Sequence, residues 1–179
     1  MDVLTLSQTV WEELHTYLDN PIERMAFLAA VPHPDSATSK DLWSVVDVMY
    51  LDDESDYEHQ GQAGMELVDD IRPRSLQWAT QLGAALIEVH SHGSGRSKTT
   101  FSTLDLRGLL DGAPRLVWRL RGRPYGAIVF GGRRDFDALV WYDERSTPVV
   151  IAELAVEARS VQPTACALER IAQLEALDG

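Results

Sequence analysis

The sequence predicts an α+β fold in a single domain spanning residues 1–179, built as a mixed, curved β-sheet flanked by helices. Three observations carry this. Strand-like runs outnumber helical ones, and the two do not alternate strictly. A length of 179 residues is enough for one sizeable core. Hydrophobic and charged contents of 45% and 25% are ordinary for a soluble globular chain.

Taken in order, Val3 to Leu6 reads as a short strand, and Ser7 caps a helix. Val10, Trp11, Leu14, Tyr17 and Leu18 recur on that helix at helical spacing as one apolar face, and Asp19-Asn-Pro21 stops it. Ile22 to Val31 is largely apolar, the first core strand, with Glu23 at its entrance. Pro32 to Lys40 is a turn-rich loop, and Leu42 to Leu51 is a strand by its β-branched and aromatic content. Asp52 to Glu58 holds five acidic residues in seven and reads as a solvated loop or a docking surface for a basic partner. Met65 to Ile71 is a further predicted strand, and Ser75 caps a helix over 76–82 that Gly83 ends. The apolar run from Ala84 leads into His90 and His92, and a helix is expected from Ser102 to Leu110. Arg115 to Arg121 alternates Leu116, Trp118 and Leu120 with arginines, the pattern of a half-buried strand. Gly122-Arg-Pro124 turns the chain into an apolar strand, Tyr125 to Phe130. Asp137 to Tyr142 and Pro148 to Leu154 form a last strand pair, and 163–179 is an amphipathic C-terminal helix. His15, His33 and His59 are expected at the surface or its boundary.

A net charge of -12 argues against a general nucleic-acid binder, because phosphate contacts need a basic surface. Against that balance, the stretch from Arg115 to Arg134 holds six arginines and no acid, which is a solvated face or a steering patch for an acidic partner. No apolar run approaches a membrane span, and the N-terminus lacks a basic-then-apolar signal pattern. Cys166 is alone, so a reducing cytoplasm is the expected location. Gly131-Gly132 reads as a turn, and no Walker or dinucleotide fingerprint is present. The sequence leaves homodimer formation open.

The chemistry concentrates in Glu88-Val-His-Ser-His92 and Ser102-Thr-Leu-Asp105. On a strand, side chains alternate faces, so His90 and His92 project together while Ser91 points away. Ser102 is the predicted N-cap of the next helix and Asp105 lies in its first turn. Two imidazoles and a carboxylate can then converge on one point. Three protein ligands with an open fourth position is the arrangement of a catalytic zinc site. Glu88 lies on the same face as His90, a candidate general base or an orienter of a ligand histidine. Taken alone, Glu23 reads as a solvated glutamate at a strand end.

His90-Ser-His92 with Ser102 and Asp105 downstream resembles the metal-binding motif of the JAMM family, the JAB/MPN metalloproteases. That motif is His-x-His, a gap, then Ser-x-x-Asp, with a catalytic glutamate far upstream. Pro21-Ile-Glu23-Arg-Met-Ala-Phe-Leu-Ala-Ala resembles the glutamate-bearing segment, and the likeness runs over roughly residues 4 to 155. Nine residues separate His92 from Ser102 where the family usually has about seven, and a loop absorbs two more at little entropic cost. Gly93 stands where a proline is common.

The resemblance implies a JAB/MPN, cytidine-deaminase-like architecture and Zn²⁺ held by His90, His92 and Asp105. It implies Glu23 as the base acting on a metal-activated water and Ser102 as a donor to the oxyanion. The implied reaction is hydrolysis after the C-terminal glycine of a ubiquitin-like or sulfur-carrier protein, as in the family's prokaryotic-type members. Three alternatives stand beside it: a non-catalytic scaffold subunit of the same fold, a DNA-repair-associated relative, and an unrelated strand-rich module with coincidental histidines.

Overall fold

A computed structural model describes residues 1–33, 42–52, 55–62, 64–92, 99–131 and 135–178. Along the chain lie β1 (Val3–Leu6), α1 (Gln8–Leu18), β2 (Met25–Pro32), β3 (Leu42–Tyr50), β4 (Tyr57–Gln60) and β5 (Met65–Leu67). Then come α2 (Ile71–Gln81), β6 (Ala85–Ser91), α3 (Thr103–Arg119), β7 (Tyr125–Phe130) and β8 (Phe136–Trp141). The chain finishes with β9 (Val149–Val150), β10 (Glu153–Val156), β11 (Arg159–Val161) and α4 (Ala167–Asp178). Among the described residues, nine strands form one sheet in the order β11-β10-β1-β3-β2-β6-β7-β8-β9, and β4 and β5 form a separate hairpin. β1 runs parallel to both β10 and β3, and β6 runs parallel to β7, while the other neighbours are antiparallel. The sheet is mixed, as the sequence predicts.

Its curvature follows from one short connection. Only Ile151 and Ala152 separate β9, at one edge, from β10, beside the other. That link spans at most about 11 Å, whereas a flat sheet would hold the two strands about 34 Å apart. The sheet therefore curls until its edges approach. Ile151 and Leu154 from the two edges share one cluster with Trp11, Leu14 and Leu18 of α1, so α1 fills the face the curl encloses. On the other face α2, α3 and α4 bring Leu76, Leu106, Leu109 and Ile171 against Phe27, Leu86 and Leu139.

Several elements differ from the sequence reading. Arg115 to Arg121 is not a strand: α3 runs unbroken to Arg119. The buried positions are Leu106, Leu109, Ala113, Val117 and Leu120, a helical period, while Trp118 is 68% exposed. Pro114 removes one backbone donor inside the helix, a loss of about 3 kcal/mol that burial of this face outweighs. Helix α2 begins at Ile71, not after Ser75, because Pro73 falls in its first turn, where the missing N–H would be unpaired anyway. Ser75 is an interior residue whose hydroxyl donates to the Arg72 carbonyl at 3.0 Å. The strand expected over Met65 to Ile71 shrinks accordingly to β5. Gly83 does end α2, with a left-handed φ of 65°.

Pro148 to Leu154 splits into β9 and β10 because the chain crosses there from one sheet edge to the other. The C-terminal helix starts at Ala167, since the Thr164 N–H is held by the Phe136 carbonyl at 2.7 Å. The acidic segment is only partly solvated: Asp56 is buried and paired with Arg74 at 2.9 Å. His15 is also buried, packed tilted against Trp11 and edge-on to Phe130. His59 is exposed as expected. Of the loop predicted over Pro32 to Lys40, Pro32 instead ends β2, and residues 34–40 lie outside the described residues, as do 93–98 and Gly132, Arg133 and Arg134. Among the described residues no helix is long and apolar enough to cross a membrane.

Candidate metal centre

β6 lies between β2 and β7 and is buried along its whole length. Its alternation sends Ala85, Ile87 and Val89 toward α1, and Leu86, Glu88 and His90 toward α2 and α3. His92 continues the second row one residue past the strand, where its N–H donates to the Phe130 carbonyl at 2.9 Å. Both imidazoles therefore point under the N-terminus of α3.

Ser102 caps that helix as predicted, with extended backbone at φ -68° and ψ 166°. Its hydroxyl oxygen accepts from the Asp105 N–H at 3.1 Å, and Asp105 Oδ2 accepts from the Ser102 N–H at 2.6 Å. This reciprocal capping box locks the carboxylate rotamer and aims Oδ2 at the histidines. The hydroxyl proton of Ser102 remains available to a further acceptor.

Three ligand-type atoms meet here: Nε2 of His90, Nε2 of His92 and Oδ2 of Asp105. Their separations are 3.2 Å between the imidazoles, 3.1 Å from His92 to Asp105 and 3.7 Å from His90 to Asp105. Ligands about 2.0–2.1 Å from a tetrahedral ion stand about 3.3 Å apart, inside that range. The His-His-Asp group can hold a metal ion. His90 and His92 are 4% and 7% exposed, so the donors are already desolvated. Burial acts to raise the Asp105 pKa, but its hydrogen bonds with His90, His92 and Ser102 outweigh this and hold it well below the ordinary carboxylate range. It is an anion, as a metal ligand must be. Nδ1 of each ring is buried without a hydrogen-bond partner among the described residues, so no outer carbonyl or carboxylate there orients the rings. The capping box and the packed strand supply that order instead.

Glu23 sits two residues before β2. The β2–β6 register pairs Met25 with His90, and its continuation sets Glu23 opposite His92. The Ser91 N–H donates to the Arg24 carbonyl at 3.0 Å, and the Arg24 N–H donates to the Ser91 hydroxyl at 3.1 Å. From the other side, the β4–β5 hairpin pins the Glu23 backbone. Its N–H donates to the Gly61 carbonyl, and its carbonyl accepts from Gln60 Nε2, each at 2.9 Å. Glu23, Ser102 and the three metal-ligand candidates all line one cavity of about 670 Å³. The five residues of the motif, Glu23, His90, His92, Ser102 and Asp105, thus share one cavity.

Glu88 lines the same cavity, but its carboxylate is engaged. Its Oε2 pairs with Arg72 at 2.8 Å and accepts a short hydrogen bond from the Tyr125 hydroxyl. The negative charge of Glu88 raises the Arg72 pKa further. Burial, then the Glu88 charge, pushes Tyr125 well above its ordinary value, so it stays a neutral donor. Arg72 and Tyr125 were not legible as site residues. Arg72 comes from a helix that the sequence starts later, and Tyr125 reads only as an apolar strand residue.

No family model matches the chain, and no curated protein matches it. Among solved structures the chain is similar to protein DSY2949 from Desulfitobacterium hafniense, known from a solution structure. The likeness has a TM-score of 0.47 and 13% identity, over 92% of this chain and 97% of that one. A likeness of that degree transfers neither fold nor chemistry, and what the site can do rests on its own geometry.

Proposed function

We propose that this chain is a zinc-dependent peptidase of the JAMM type, with a JAB/MPN architecture, that cleaves after the C-terminal glycine of a ubiquitin-like or sulfur-carrier protein. The observation that carries the reading is the convergence of His90, His92 and Asp105 at a spacing one metal ion can bridge, on a cavity that Glu23 and Ser102 also line. A scaffold subunit has no use for all five in one place.

Zinc, when bound, supplies a Lewis acid and lowers the pKa of its water toward ~7. Glu23 faces the cavity without belonging to the triad and takes the proton of the attacking water, then passes it to the leaving amine. The Ser102 hydroxyl donates to the carbonyl oxygen as negative charge develops there. This reading takes Glu23 rather than Glu88 as the base, because Arg72 and Tyr125 both engage the Glu88 carboxylate at Oε2. A reducing cytoplasm suits the free Cys166.

The test is turnover of a ubiquitin-like protein fused through its terminal glycine to a reporter, with the zinc-loaded enzyme. Glu23→Gln should keep one zinc per chain and lose about 10²–10⁴-fold in kcat. Full activity in that variant removes Glu23 from the mechanism, and no cleavage by the zinc-loaded wild type removes the peptidase reading.

A further inference from the structure

The cavity that holds the triad continues along α3 and ends on two arginines. The α3 residues that line it include, from the metal end, Asp105, Gly108, Gly112, Arg115 and Arg119, spaced at the helical period, with Leu104, Leu109, Ala113 and Leu116 beside them. The two glycines have no internal reason to be glycine. A Cβ at either would meet nothing within 4 Å, and each costs the helix roughly 0.5–1 kcal/mol relative to alanine. These two positions leave open space on the helix surface between the triad and the arginines. The ends of the groove differ in charge, with Glu23, Glu88 and Asp105 beside Arg72 at the metal end, Arg115 and Arg119 at the far end, and apolar side chains such as Leu104, Leu109 and Leu116 along it.

Both arginines have charge to offer. Arg119 makes no ion pair or hydrogen bond among the described residues, although Asp143 and Glu144 lie across a neighbouring depression. Arg115 meets only Asp111 of its own helix, at 3.4 Å with both side chains 75% exposed, a screened pair worth little. On a chain of net charge -12, this is where a negatively charged partner is attracted rather than repelled.

We infer that the substrate segment lies extended along α3 and carries acidic side chains that pair with Arg115 and Arg119. This rests on the peptidase reading above and specifies its substrate. Ten and fourteen residues of helix separate Asp105 from the two arginines, about 15 and 21 Å at 1.5 Å per residue. An extended peptide covers that distance in about four to six residues at ~3.3 Å each. The acidic positions therefore stand about four to six residues from the bond that is cut.

The test is fluorescence anisotropy at low ionic strength with two labelled peptides. Each has Gly-Gly at its centre; one carries glutamates four to six residues away on both flanks, the other glutamines. The zinc-loaded wild type should bind the glutamate peptide about tenfold more tightly, with the difference shrinking as salt is added. Arg115→Glu with Arg119→Glu should abolish the preference, and Arg115→Lys with Arg119→Lys should keep most of it. Gly112→Leu, which has open space for its side chain, should weaken both peptides alike. Equal binding of the two peptides by wild type, no binding of either, or a preference that survives the double glutamate substitution overturns the inference. Charge-dependent binding together with no cleavage of any peptide sinks the peptidase reading and leaves the acidic-peptide groove standing. Cleavage without charge preference does the reverse.

Discussion

Asp105 has two jobs that can be separated by one atom. Its Oδ2 accepts the Ser102 N–H in the capping box and also completes the triangle of candidate metal ligands. Asparagine at this position keeps an acceptor for the Ser102 N–H but offers only a neutral oxygen to a cation. Alanine removes both. Without metal, Asp105→Asn should lose at least the favourable carboxylate at a helix N-terminus, about 0.3–1 kcal/mol, with the charged acceptor for the two imidazoles besides. Asp105→Ala should lose about 1 kcal/mol more for the unmade hydrogen bond. A chain of this size melts about 2–4 °C lower per kcal/mol, so the expected drops are at least about 1–4 °C and 3–8 °C. With zinc at a thousand times its Kd, wild type gains about 4.1 kcal/mol, or roughly 8–16 °C. Both variants should gain little, because the anionic ligand is gone. Differential scanning calorimetry with and without zinc at pH 7, paired with metal analysis, reads all of this. An Asp105→Asn protein with the wild-type zinc shift would refute the ligand assignment. A wild type with no shift and no bound zinc would refute the metal centre itself.

Three further outcomes follow from the same structure. Arg72→Ala leaves the buried Glu88 carboxylate with only the Tyr125 hydroxyl, and should cost about 1–3 kcal/mol in urea unfolding, less than a fully buried pair because the Arg72 side chain is 47% exposed. Asp56 stays below its ordinary carboxylate value of 3.8: burial opposes its charge, but the Asp52 N–H and Arg74 outweigh that. The native state thus releases the Asp56 proton more readily than the unfolded chain, so this stability is full above about pH 4 and is lost as pH falls through the folded value. Arg74→Ala should move the acid-unfolding midpoint upward, and an unchanged midpoint would remove the pair from the account. Finally, Val117→Ala should cost about 1.6 kcal/mol, at ~0.8 per buried methyl-sized group, whereas Trp118→Lys should stay within ~0.5 kcal/mol. The opposite order would restore a strand at Arg115 to Arg121.

How much of this was legible without coordinates depends on whether the signal was local. The triad was, because each part rests on short-range geometry. A two-residue period puts His90 and His92 on one face, and a Ser-x-x-Asp box fixes Asp105 against its own helix start. Ser7, Gly83 and the apolar face of α1 were readable for the same reason: caps and periodicity act within a few residues. The α+β class came from the order of such runs.

What the tertiary structure decided were the competitions between local signals and burial. Alternating Leu116, Trp118 and Leu120 looks like a strand, but a helix there buries Val117 and Leu120 under the sheet and leaves Trp118 outside. Ser75 suggests a late helix start, while packing of Ile71 into the core draws α2 forward. Glu23 is an ordinary strand-end glutamate until the β2–β6 register and the β4–β5 hairpin set it opposite His92, on the cavity that the triad lines. The partners of Glu88 arrive from α2 and β7, sixteen and thirty-seven residues away. No local pattern encodes such pairs, because the energy that forms them is released only when distant segments leave water together.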